Sequence, residues 1–154
     1  MKKLSVLSLL LVVLTGCCAH KKAQDGQAGK AGASGAGFEI LKQNAYGGFE
    51  TESQVKADNQ ETLASLYKEL GIETVPEIDF STKSVIFAFM GQKPTGGHSI
   101  TVKDVKADGD TTTVTIVKTT PKPGDNVTMA LTAPYCIVAI PKTKEVVYKS
   151  EFSK

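Results

Sequence analysis

The sequence contains no arginine and no tryptophan, so each of its 18 basic residues is a lysine. Nucleic-acid binding needs a basic excess and usually the bidentate forks of arginine. Here the formal net charge is only +2, and two of the lysines, Lys2 and Lys3, lie in a leader expected to be removed. A balanced surface gives no sign of electrostatic steering either. Histidine and cysteine are equally scarce, with two His and three Cys in 154 residues. Only His98 and Cys136 fall outside the N-terminal leader and tether. Zinc needs three or four ligands from His, Cys or carboxylate, so no metal site and no cofactor are expected.

The N-terminus reads as an address. Lys2 and Lys3 form a positive start, residues 4–14 an apolar run, and Leu14-Thr15-Gly16-Cys17 follows. The run is too short to span a bilayer, which takes ~20 apolar residues, and it has the layout of a signal peptide. A Cys directly after a small residue, with Leu three positions earlier, resembles a bacterial lipobox. That resemblance implies cleavage after residue 16, acylation of Cys17 and a membrane-anchored mature chain, since two or more acyl chains hold where one does not. Position 18 is Cys rather than Asp, so no inner-membrane retention signal is implied. The expected location is the cell envelope, at the outer membrane or cell surface. Residues 17–37 then form a tether with no apolar side chain larger than Ala after the cysteines, unable to offset its own ordering entropy. Its mean reach as a Gly-rich coil is about 25 Å. His20, inside it, reads as solvated.

Residues 38–154 are expected to form one α+β domain, mainly antiparallel sheet, with about eight short strands in a sandwich or half-barrel and one amphipathic helix. Residues 38–42 and 48–51 alternate loosely around Gly47-Gly48 and read as an opening hairpin. Asp58 and Glu61 have capping-box spacing. Leu63, Leu66, Tyr67 and Leu70 then mark one helical face, and Gly71 supplies the stop. Residues 84–90 and 135–140 are apolar at successive positions, as in strands covered on both faces, and the first is placed centrally under the helix. Asp108-Gly109 is a hairpin turn between residues 100–105 and 112–117. Val127, Met129 and Leu131 alternate as a further strand, and residues 141–144 turn into a last one at 146–148.

Between two of these strands lies Gly91-Gln92-Lys93-Pro94-Thr95-Gly96-Gly97-His98-Ser99-Ile100. Pro94 ends the ladder and restricts Lys93, and Gly96 and Gly97 permit positive φ and close approach of another backbone. Loops held between core strands are where binding concentrates. Lys93, Pro94, Thr95, Gly96, Gly97 and His98 are therefore the expected contact residues, stiffened so that little ordering entropy is lost on binding. Catalysis is not expected. Cys136 sits in an apolar strand where a thiol behaves as a small hydrophobe, and a bridge from it to Cys18 would have to fix a flexible tether to a core strand. One His and one buried Cys do not make a dyad. Glu77 and Asp79, two apart, read as solvated carboxylates at the start of a strand, and the glycine loop lacks the Lys-Ser/Thr ending of a phosphate loop.

Pro76-Glu77-Ile78-Asp79-Phe80, the glycine loop, Pro121-Lys122-Pro123-Gly124 and Ala133-Pro134-Tyr135 occur in the order seen in the C-terminal domain family of the protease complex subunit PrcB, which this region resembles. His98 stands where that family has Tyr, and no separate N-terminal domain is expected ahead of Phe38. The resemblance implies a non-catalytic lipoprotein that associates with a secreted protease or assists its assembly. A second likeness is to chagasin-type protease inhibitors, with Pro94-Thr95-Gly96-Gly97 and Pro134-Tyr135 as the two loops laid against a protease cleft. Those inhibitors carry Arg and Trp that are missing here and have no place for the helix. Pro134 and Tyr135 join the expected contact residues on that account.

Overall fold

The computed structural model describes residues 37–153, so the signal peptide, Cys17, Cys18, His20 and all but the end of the tether lie outside the described residues. The chain order is β1 (Glu39–Asn44), β2 (Ser53–Ala57), α1 (Gln60–Glu69), β3 (Lys83–Phe89), β4 (Ser99–Asp108), β5 (Thr111–Thr119), β6 (Tyr135–Pro141) and β7 (Glu145–Phe152). The strands form a four-stranded sheet in the order β1-β6-β3-β2 and a three-stranded sheet in the order β4-β5-β7. The α+β reading holds: seven strands lie in two mostly antiparallel sheets beside one helix, with no closed barrel.

The unbroken apolar runs decide the layering. In β3 and β6 successive side chains point to opposite faces, so a run apolar at every position needs cover on both sides. Ile86, Ala88, Met90, Cys136, Val138 and Ile140 pack against Ile100, Val102, Val114 and Ile116 of the second sheet. Val85, Phe87, Phe89, Tyr135 and Ile137 pack on the other side with Leu63, Leu66 and Tyr67 of the helix. The result is three layers: helix and loops, first sheet, second sheet. The second sheet needs cover on one face only and alternates accordingly, with Thr112, Val114, Ile116 and Lys118 inward on β5 and the intervening residues less buried.

Helix α1 stops as its sequence implies. The amide of Ile72 donates to Tyr67 O at 2.9 Å and that of Gly71 to Lys68 O at 3.0 Å, with Gly71 at φ +67°, the paired bonds of a glycine-terminated helix. Its start differs. Asn59 is the N-cap, its Oδ1 accepting from the Thr62 amide at 2.8 Å. Asp58 is drawn away by stronger donors: it accepts from Ser84 Oγ at 2.7 Å and pairs with Lys56 at 2.9 Å and Lys142 at 3.3 Å. The Ser84 hydroxyl is fully buried and would be costly without a partner. Burial alone would push the Asp58 carboxyl up, but the bonds from Lys56, Ser84 and Lys142 outweigh it and hold its pKa below the usual value.

Two other expectations are corrected, and one strand pairing is parallel. The opening hairpin does not form: β1 pairs with β6 and β2 with β3, so the two lie on opposite edges of the sheet. Residues 48–51 offer only Phe49 as an apolar side chain, whereas β6 is buried and apolar from Tyr135 to Ile140. Ile40 and Leu41 alternate into the two cores, and a register shift between Ile40 and Lys42 breaks the pairing with β6 at that point. The strand expected over Val127, Met129 and Leu131 is a loop, with Met129 87% and Leu131 65% exposed. Pro121, Pro123 and Pro134 flank it, and proline removes the donors that a ladder needs. Finally, β7 pairs with β5 in parallel. The chain leaves β5, crosses to the first sheet as β6, and returns through residues 142–144. There Thr143 Oγ1 donates to Asp110 O at 2.9 Å.

Candidate functional site: a bonded cluster of loops at one pole

β3 and β6 are antiparallel, so the end of β3 and the start of β6 meet at one pole, where Phe89 faces Tyr135. The loops on this pole are 45–52, 90–98 and 120–134. Their backbones bond to one another instead of lying free. Lys93 and Thr132 exchange both amide bonds, at 2.7 and 2.9 Å, and Gly96 donates to Thr128 O at 2.9 Å. The Thr132 hydroxyl, itself buried, donates to Thr95 O at 2.8 Å. Gly48 donates to Ala133 O at 2.9 Å, Ala133 to Ala45 O at 3.1 Å and Gln92 to Glu50 O at 2.9 Å.

The close approach that glycine permits is used within the chain. A Cβ on Gly96 would lie 2.3 Å from Thr128 Oγ1, and one on Gly97, where φ is +81°, 3.1 Å from Val127 Cγ1. Loop 120–134 thus occupies the space beside the two glycines. Of the sequence-derived contact residues, Pro94 and Gly97 are exposed, Lys93, Thr95 and His98 half-buried, and Gly96 buried. Pro134 and Tyr135 are buried, the latter stacked into the aromatic group of Phe49, Phe87 and Phe89. They form the floor under the loops and present no second loop tip.

His98 Nε2 lies 3.3 Å from Thr95 Oγ1, while its Nδ1 is buried without a partner among the described residues. Burial first, and the charge of Lys93 second, hold its pKa below the usual histidine value, so the ring is neutral at neutral pH. Lys118, only 5% exposed, reaches from β5 to the Glu52 carboxylate, tying the second sheet to the first at this pole.

Cys136 lies fully buried between the sheets, and burial pushes its thiol up to about 11, against weaker bonds from Val102 and Thr101. Such a thiol is almost wholly protonated at neutral pH and slow to react. Iodoacetamide should label the Cys136 peptide in minutes after denaturation but only over many hours in the native chain, read by peptide mass mapping. Rapid native labelling would mean an activated nucleophile. Asp79 is spent on its own turn, accepting from the Ser81 amide and Thr82 Oγ1, both at 3.0 Å, and Glu77 is exposed. No group of three or more His, Cys, Asp or Glu that could hold a metal occurs among the described residues.

What sequence reasoning missed is the apolar surface on these loops. Among the described residues five large hydrophobic side chains are exposed, and three of them, Tyr46 (52%), Met129 and Leu131, sit on these loops. The signal was available: prolines on both sides of the 127–131 alternation argue against a strand, which turns an apparent core face into an exposed one. Beside Gly97, a groove of about 390 Å³ runs along Thr119, Pro121, Asp125 and Val127.

The described residues thus form a small two-sheet β domain with one helix and a cross-bonded loop pole. Residues 84–141 match the family model described as PrcB C-terminal, so this segment carries the family's pattern and the resemblance read from the motifs is borne out. The match runs from β3 through β6, taking in the glycine loop and loop 120–134. No curated protein and no solved structure matches the chain.

Proposed function

We propose that this chain is a lipid-anchored envelope protein whose loop pole docks on a protein partner, a secreted or surface protease that it accompanies or helps to assemble. The observation that carries the reading is the coincidence of the family match with exposed Met129 and Leu131, bonded to the motif loop through Thr128 and Thr132. Isolated exposed apolar residues are ordinary, but apolar groups held on a rigid frame resemble the anchors of binding surfaces. Geometry supports the same reading. The described chain starts at Gly37, beside Lys83 and Pro141, at the pole opposite the loops and roughly 20 Å from them along strands of 3.3 Å per residue. A chain tethered from that end keeps its attachment point away from the loops and leaves them free to meet a partner. Lys93, Pro94, Thr95, Gly97 and His98 supply the polar rim of the contact, and no step of catalysis is assigned to the domain.

The test uses the full chain purified from membranes and the protease secreted alongside it. Wild type should co-purify with the protease and raise the yield of active enzyme. Met129→Ser with Leu131→Ser should reduce retention at least about tenfold, as loss of two interface anchors would, with the melting temperature unchanged. Thr95→Ala with His98→Ala should weaken retention less. Full retention by both pairs would move the contact off this pole. Stoichiometric loss of protease activity on adding the chain would favour the inhibitor reading, and unchanged detergent partitioning of Cys17→Ser would refute the anchor.

A further inference from the structure

The two remaining exposed hydrophobics, Val147 (41%) and Phe152 (67%), both belong to β7, Phe152 at the end where β5 leads into loop 120–134. β7 is an edge strand, with β5 as its neighbour on one side only. Edge strands offer a row of free donors and acceptors and are usually blunted by charge, proline or a bulge. β7 has eight residues in unbroken register with β5, no proline and no bulge. It does carry charges, and their order is informative.

We infer that β7 pairs antiparallel with β7 of a second copy of this chain, joining two three-stranded sheets into one across a two-fold axis at Ser150. The backbone determines which groups are free. The amides of Glu145 and Ser153 donate toward β5, to Asp110 O and Lys118 O. Backbone groups alternate sides along a strand, so odd-numbered residues of β7 bond to β5 and even-numbered ones point outward. Outward groups must meet outward groups, so the axis falls on a residue, and five positions from Val147 to Glu151 are near enough to the strand centre; centring on Val147 sets Glu145 opposite Lys149 twice but leaves Phe152 beyond the ladder. Centring on Lys149 or on Glu151 sets a like charge against itself, and centring on Tyr148 sets Glu145 opposite Glu151 in both halves. Centring on Ser150 sets Lys149 opposite Glu151 twice and Tyr148 opposite Phe152 twice. Opposite charges and aromatic pairs directly across a ladder stabilise it and like charges destabilise it, so the Ser150 register, which alone has both the charge pairs and the aromatic pairs, is selected, and it is self-complementary. The two-fold requirement of an isologous interface is met by the sequence of the strand itself. Glu151 already accepts from Lys103 at 3.1 Å but keeps 52% of its side chain exposed, leaving room for a second cation.

Sedimentation of the full chain in detergent tests the pairing. Wild type should form a concentration-dependent dimer. Lys149→Glu and Glu151→Lys should each raise the dimer dissociation constant at least about tenfold, because each sets two like-charge pairs across the axis. Mixing the two variants should restore dimers to within about threefold of wild type, since each then meets the opposite charge. A wild type that stays monomeric throughout, that dimerises equally well with either substitution, or whose β7 takes up only a strand from another protein would overturn the inference. This test is independent of the loop pole: a failed dimer leaves the protease reading standing, and failed protease retention leaves the dimer standing.

Discussion

Replacing Phe89 with alanine is expected to lower the melting temperature by roughly 10–25 °C, the largest single-residue effect in this domain. Phe89 is fully buried, lies 4.2 Å from Phe49 and 6.3 Å from Phe87 between ring centroids, and also touches Tyr135. Phe→Ala in such a setting costs about 3–5 kcal/mol, from lost transfer energy and an unfilled cavity. That is at least about a fifth of the ~5–15 kcal/mol by which a domain of this size is stable. Backbone on both sides keeps the site from collapsing onto the gap: Phe89 pairs with Ser53 on one side and Tyr135 on the other. Leu131→Ala is the control. At 65% exposure it should change stability by no more than about 0.5 kcal/mol. Melts followed by circular dichroism that show equal shifts for the two would contradict the three-layer core.

The second large effect is expected at Gly91, where β3 gives way to the glycine loop. Its φ is +76°, and a Cβ there would lie 2.9 Å from Glu52 N and 3.1 Å from Glu50 O. Both obstacles are backbone and cannot swing aside. Gly91→Ala therefore adds a left-handed strain of about 1–2 kcal/mol to an overlap of about 1–3 kcal/mol, for a total near 2–5 kcal/mol. The damage should reach the loops before the core, because Gln92 and Lys93 carry the first bonds to 45–52 and 120–134. Amide exchange at Lys93, Gly96 and Thr132 should accelerate more than at residues 85–88. Gly109→Ala separates strain from overlap: its φ is +60° with nothing within 4 Å, so about 1 kcal/mol is expected. Equal costs at the two glycines would show that the contact with 50–52 is slack.

Much of the fold was legible where the signal is local or the burial complete. Uninterrupted apolar runs can exist only as strands covered on both faces, which is why 84–90 and 135–140 were readable as the centre of the first sheet. The period of Leu63, Leu66, Tyr67 and Leu70 and the stop at Gly71 specify α1 within one short stretch. Asp108-Gly109 specifies its own hairpin. The motif loops could be read as a family pattern because they recur in order, and the match over residues 84–141 agrees.

Other features were decided only by what meets what in three dimensions. Asp58 and Asn59 are near-equal caps locally, and the choice was made by Lys142 and Ser84, distant in sequence and adjacent in space. The partner of β1 was decided by the greater apolar area of β6 over residues 48–51, a comparison between segments about ninety residues apart. Whether Val127, Met129 and Leu131 faced a core or solvent depended on which side of loop 90–98 they passed, and Gly96 and Gly97 admit them only as a loop beside it. The buried position of Pro134 and Tyr135 followed from the same packing. By itself the sequence determined which segments must be buried and where the chain must turn, because hydrophobic period and backbone stereochemistry are properties of a few neighbouring residues. The tertiary structure decided which buried segments meet and which alternating face is left bare, because those depend on a competition among distant segments for the same apolar surface.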